Sequence, residues 1–298
     1  MKIPPDVNEW LNLLLRWFHV FAAILWVGST YYFTWLDGRF QEEEREAGAK
    51  GEPDAAKVEV WMVHSGGFYV VEKRKTPSLR RLHWFRWEAA MTWLSGILLL
   101  TLVYYMGGGM VDVDVRNISV STAVLFGVGM LVVGWLVYDL LVQSPLGRNE
   151  KAFAVVAYAL VVGAAYLSAH VLAGRAAYIH LGAMFGTIMA ANVWMRILPA
   201  QRRMIAAVKE GRAPDPSEGA RAKLRSKHNT FMVVPAVFTM ISNHYATATY
   251  GNDADCKTLT WLAHKVGLAV SLDFRPDWVI LCALVLVGWA AAKIIRRA

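Results

Sequence analysis

The sequence predicts an all-α protein, a polytopic transmembrane helical bundle with seven spans, or eight if one short apolar stretch also crosses. Three observations carry this. Apolar residues make up 56% of the 298 residues and mean hydropathy is +0.35. Charged residues reach only 18%, against about 25% in an ordinary soluble chain. The thirteen Trp and eleven Tyr suit aromatic belts at the two membrane surfaces.

The apolar residues fall in long runs at 10–36, 84–106, 119–143, 152–173, 176–198, 229–248 and 277–295. Each is close to or above the roughly 20 residues needed to cross hydrocarbon. The run 258–272 is shorter and holds His264 and Lys265, which suits an interfacial amphipathic segment. Asp6 and Glu9 stand where a signal peptide would be basic, so the first run reads as a retained helix. Gly96, Gly127, Gly134 and Gly163 are expected to let helices approach closely.

Basic residues set the orientation. Loops 37–83 and 199–228 hold most of them, and the tail adds Lys293, Arg296 and Arg297. The alternate loops are poor in basic residues: 107–118 holds only Arg116 and 174–175 only Arg175. Seven spans place the basic loops on the cytoplasmic side and the N-terminus outside. The chain reads as one membrane domain, 1–298, with cytoplasmic loops 37–83 and 199–228 and an outer loop 250–276. Residues 61–75 read as a strand or hairpin. QEEEREAGAKGEPDAAKVEV reads as a solvated helix or flexible segment. The net charge of +8 is thereby explained by topology, and no nucleic-acid motif accompanies it.

Ionisable side chains in hydrocarbon are costly and usually face the bundle interior. His19, His170, His180 and His244 all fall in the outer half of predicted spans. Imidazoles at one depth suit haem iron, copper or non-haem iron, so these four are the candidate metal and haem ligands. The alternative reading gives each a helix–helix hydrogen bond or a place at the headgroup level, as for His170 and His180 beside their short loop. Arg16, one turn before His19, is placed to neutralise a haem propionate or an anionic substrate, or to snorkel to the interface.

A second polar set lies at the inner ends of the second and sixth spans, with His83, Arg86, Glu88, Lys227, His228, Asn229 and Thr230. Glu88 and Asp139 sit in apolar helix, where each calls for an Arg or His partner. His228 and His244 are sixteen residues apart, about 24 Å along a helix, so one compact site cannot hold both. Glu88, His228, Asn229 and Asn243 are the candidates for substrate binding and proton movement. Cys256 and Cys282 form no CxxC, CxxCH or zinc spacing; Cys282 reads as a buried small hydrophobe and Cys256 as a loop thiol. No phosphate loop, dinucleotide fingerprint, HExxH or serine elbow is present.

Four segments carry a resemblance: RWFHVFAAILWVGSTYYF, FRWEAAMTWLSGILLL, SKHNTFMVVPAVFTMISNHYATATYG, and the closing Trp-containing helix with KIIRR. From about residue 8 to the end the chain resembles the membrane domain of the bacterial membrane-bound urate oxidase family. SKHNT and ISNHY are the most specific parts. The resemblance implies oxidation of urate to 5-hydroxyisourate at the bacterial inner (plasma) membrane. Members carry a C-terminal cytochrome c domain. This sequence stops at Ala298 without CxxCH and has an extra stretch near 252–276, so the expected electron partner is a separate cytochrome c or respiratory complex.

The leading expectation is a membrane oxidoreductase that passes electrons from urate through a histidine-ligated haem b or other metal. Two alternatives remain open: a non-catalytic haem-b electron-transfer subunit, and a transporter without a redox centre.

Overall fold

A computed structural model describes residues 4–49, 58–74, 82–250, 265 and 277–296. The helices are α1 (Pro5–Ala49), α2 (Trp87–Leu100), α3 (Val120–Gln143), α4 (Glu150–Val171), α5 (Gly174–Ala191), α6 (Leu198–Lys209), α7 (Pro216–Ile241), the single turn α8 (Ala246–Thr249) and α9 (Asp277–Ile295). Among the described residues six helices are long and apolar enough to cross a membrane: α1, α2 with its extension to Tyr105, α3, α4, α5 running on through α6, and α9. The expected seventh, 229–248, differs. Its helix α7 starts at Pro216, so half of it carries Glu218, Arg221, Lys223, Arg225 and Lys227, and it ends at Ile241. The stretch 258–272 apart from Lys265, most of the outer loop 250–276, and Cys256 lie outside the described residues.

Helix starts follow local chemistry. Ser119 Oγ accepts from the Thr122 N–H and Asn149 Oδ1 from the Ala152 N–H. Asp215 caps α7 with Pro216 in its first turn. Each replaces a partner that the first helical turn lacks.

α1 runs well past the predicted end of its span, to Ala49. The acidic-basic stretch after residue 37 therefore continues the helix up to that point. There it meets an antiparallel hairpin, β1 (Val58–His64) and β2 (Gly67–Lys73), in which His64 pairs with Gly67. The two turn residues, Ser65 and Gly66, both have positive φ, the backbone that a two-residue hairpin turn needs. Leu36 and Phe40 of α1 pack with Val58 and Val60 of β1 in a small core, and Lys73 pairs with Glu44. The hairpin has no core of its own; it borrows one from α1.

α5 is the axis of the bundle. It touches α2, α3, α4 and α7, and nearly every residue from Ala176 to Ala190 is buried. Apolar side chains elsewhere point outward, as Trp17, Ile24, Leu125 and Val155 do, which suits lipid as the surrounding solvent. Close approach to α5 depends on small residues. A Cβ on Gly182 would stand 1.9 Å from Thr239 Oγ1 of α7, one on Gly134 of α3 2.6 Å from Met184, and one on Gly127 2.6 Å from His180. Gly96 likewise admits His19 of α1. Gly163 differs from expectation, because nothing lies within 4 Å of its Cβ position. Cys282 is buried in α9 as expected.

Two helices change pitch. α2 widens into a π-helix at Thr101–Tyr105, and α5 does so at Asn192–Ile197 before continuing as α6. In the second case Pro199 follows at once. Proline cannot donate to the ladder and its ring crowds the carbonyl four residues back; a wider turn there relieves that contact. α7 carries Pro235 in its interior, and Gly288 of α9 leaves room for the ring.

The Gly182 contact gives a direct test. Gly182→Ala should drive a methyl into the buried Thr239 hydroxyl and destabilise the detergent-solubilised protein by about 1–3 kcal/mol. Gly163→Ala, facing open space, should leave thermal stability unchanged or raised.

Candidate functional site

Polar side chains gather at two ends of the bundle. The first cluster lies toward the basic loops, where α3, α5 and α7 meet. Asp139 of α3 is its anchor. Arg225 of α7 pairs with it at 2.8 Å, Gln143 Nε2 donates to it at 2.7 Å, and Arg196 Nε donates at 2.9 Å. Asn192 sits in the π-turn of α5. Its amide donates to Tyr138 Oη (3.0 Å) and Asn229 Oδ1 (2.8 Å), and its carbonyl accepts from Arg225 (3.1 Å). Asn229 Nδ2 donates to the Met189 carbonyl. Tyr138 Oη and His228 Nδ1 share a hydrogen bond of 2.9 Å, and Phe153 of α4 stacks flat on the His228 ring. Arg225, Asn192 and Asn229 are all buried.

The second cluster lies at the opposite end, where α2, α5 and the turn after α7 meet. Asn243 Oδ1 accepts from Arg175 Nε at 3.0 Å, from Tyr250 Oη at 3.3 Å and from Tyr104 Oη at 3.5 Å. The Arg175 guanidinium also lies over the Tyr104 ring. Arg175 is exposed while Tyr104 is buried, so the cluster runs from the surface inward. Arg16 of α1 is held by the Asn12 side chain. Below the cluster sits His180, edge-on to Tyr104.

The four histidines read as metal or haem ligands do not gather. Among the described residues no three His, Cys, Asp or Glu side chains come together as a metal site requires. His180 is fully buried, and the Ala176 carbonyl accepts from its Nδ1 at 2.7 Å. Nε2 is then the acceptor and takes the Tyr105 hydroxyl at 3.2 Å. The α3 backbone at Gly127 closes off the same edge of the ring.

His19 is held at Ser95, 2.9 Å from Nδ1. The Ser95 hydroxyl donates to the Met91 carbonyl at 2.6 Å, so His19 supplies the proton from Nδ1. Ser95 and Tyr105 are ten residues apart on α2, about 15 Å along a helix axis. His19 and His180 are thus tied to different levels of α2, an arrangement that does not suit a haem held between them. His170 is half-buried, with Nδ1 on the Tyr166 carbonyl, and His244 is exposed in the turn after α7.

The other candidates divide between the two ends. His228 and Asn229 belong to the first cluster and Asn243 to the second. Glu88 joins neither: its Oε2 is buried without a hydrogen-bond partner among the described residues, so the cationic partner expected for it is not found there. Asp139 does have its arginines. Asn192, Arg196, Arg175, Tyr104, Tyr138 and Tyr250 escaped the sequence reading. Asn192 and Arg196 had a usable signal, as polar residues four apart inside an apolar run. Arg175 and Arg225 were counted only as loop charges.

A family model, urate oxidase N-terminal, matches residues 5–292. The chain belongs to that family. No curated protein and no solved structure matches it significantly. Both clusters fall inside the stretch that defines this urate oxidase N-terminal domain, and so do all nine candidate residues taken from the sequence.

The Asp139 anchor has a measurable consequence. The side chains of Arg225 and Asp139 are 5% and 10% exposed. Asp139→Asn should strand the buried guanidinium and cost about 3–5 kcal/mol in unfolding. Arg196, at 42% exposure, should tolerate Gln at a cost below about 1 kcal/mol.

Proposed function

We propose that this chain oxidises urate at the bacterial inner membrane, with the Arg175–Asn243–Tyr104–Tyr250 cluster as the urate site. The family match over residues 5–292 supports the substrate. The single geometric observation that carries the site is the convergence of one guanidinium, one carboxamide and two phenols on one point at a bundle end. Urate is a planar anion rimmed with N–H and C=O groups. A guanidinium meets its charge and its carbonyls with paired donors. A carboxamide offers both an acceptor and donors, and phenol rings offer faces for stacking.

The overall reaction is urate plus water giving 5-hydroxyisourate, two electrons and two protons. Water adds at the purine C5 as the pair of electrons leaves. The electrons go to an external acceptor, for which a separate cytochrome c is our reading. His180 and Tyr105 are hydrogen-bonded to each other just beneath the cluster, and His180 is fixed in turn on the Ala176 carbonyl, so the pair holds the floor of the site in place. Positive loops facing the cytoplasm put this site on the outer side, the side from which such a cytochrome would collect electrons. The haem-b subunit and the transporter readings have no specific observation in their favour.

Purified protein in lipid, given urate and oxidised cytochrome c, should consume urate and reduce two cytochromes per urate. Arg175→Ala should raise the KM for urate tenfold or more, since a charge-assisted hydrogen bond is worth about 1.5–3 kcal/mol. Urate that stays intact with every acceptor offered would sink the reading. An unchanged KM in Arg175→Ala and Asn243→Ala would move the site elsewhere.

A further inference from the structure

A cleft of about 1180 Å³ opens on the side of the bundle between α3 and α4, with α5, α7 and α9 behind it. Its walls are apolar: Phe126, Met130, Val133 and Leu160 line it. Gly129 and Gly163 also face it, and nothing in the protein lies within 4 Å of either Cβ position. Val133, Leu160 and Leu167 on its lining are exposed, so the cleft opens toward the lipid-facing surface.

One end of the cleft is different. Lys151, Lys227, Lys293 and Arg296 line it there, and Glu150 is the one acid among the described lining residues. Lys227 takes that acid at 2.6 Å. Arg296 contacts the Thr230 hydroxyl and the Phe231 ring. Lys151 and Lys293 have no ion pair among the described residues. The cationic end lies beside α4's first turn and α7's basic half, so it faces the side of the basic loops.

We infer that this cleft is a binding site for an anionic diacyl phospholipid, with acyl chains along α3 and α4 and the phosphate at Lys151, Lys293 and Arg296. Charge complementarity chooses this occupant. Four cations against one carboxylate demand an anion, and the apolar length beyond them demands hydrocarbon. A neutral quinone or a second copy of the bundle would fill the walls and leave the cations unanswered. Basic pockets between membrane helices on this side recognise anionic headgroups in this way. Tyr138, Phe153 and His228 of the first cluster also line the cleft; the Arg175 cluster does not, and the inference does not rest on the urate reading.

Native mass spectrometry on the delipidated full chain tests it, with phosphatidylglycerol and phosphatidylcholine as probes. Phosphatidylglycerol should bind at least tenfold more tightly than phosphatidylcholine. The triple variant Lys151→Gln/Lys293→Gln/Arg296→Gln should lose that preference while keeping the helical circular dichroism of the parent. Gly163→Phe, which fills the cleft without touching a charge, should weaken both lipids. Equal binding of the two lipids by the parent, or a preference that survives the triple variant, overturns the inference. So does recovery of a quinone, or a dimer that Gly163→Phe abolishes.

Discussion

The ion pair between Asp139 and Arg225 is the constraint on which the interior depends. It joins α3 to α7 across the top of α5. A buried carboxylate costs too much unless its charge is matched and its lone pairs are filled. Here Arg225, Arg196 and Gln143 fill them. The guanidinium's remaining donors then need acceptors, which draws in Asn192, and Asn192 in turn orders Tyr138 and Asn229. One charge pair thereby sets the rotation of three helices about their own axes. An apolar bundle lacks that information, because lipid and side chain are nearly equivalent solvents for its helix surfaces.

The π-turns make both clusters possible. Asn192 and Arg196 lie in one of them, Tyr104 and Tyr105 in the other. A wider turn shifts the angular position of everything after it relative to a regular α-helix. It also frees backbone groups that cost energy in hydrocarbon, which is why such turns recur where function needs them. Pro199 supplies a covalent reason for one. For the turn at Thr101–Tyr105 we find no comparable residue.

The two ends differ in openness. At the basic end Arg225, Asn192 and Asn229 are buried and mutually satisfied, which is the behaviour of a structural network. At the other end Arg175 is exposed and Asn243 is half-buried. A ligand arriving there can take over hydrogen bonds that the protein now makes to itself. This contrast, more than the number of polar groups, separates the proposed substrate site from the scaffold that supports it.

Composition and the length of apolar runs were enough to establish a helical membrane protein, because hydrocarbon admits little besides helices that satisfy their own backbone. The runs at 119–143 and 277–295 match their helices to within a residue. Hairpin strands and the need for a partner at Asp139 were legible for similarly local reasons. The sequence by itself also carried the family, through segments such as SKHNT and ISNHY.

Depth along a helix could be counted from the sequence, but the direction each side chain faces could not. Counted along their runs, His19, His170, His180 and His244 fall in the same half of the bundle, yet packing turns them to Ser95, Tyr166, Tyr105 and the open surface. Arg175 and Arg225 looked alike as loop charges. Only the fold makes one an exposed arm over Tyr104 and the other a buried strut. Rotation, π-turns and long-range pairing are properties of several helices at once, so the tertiary structure alone decides them.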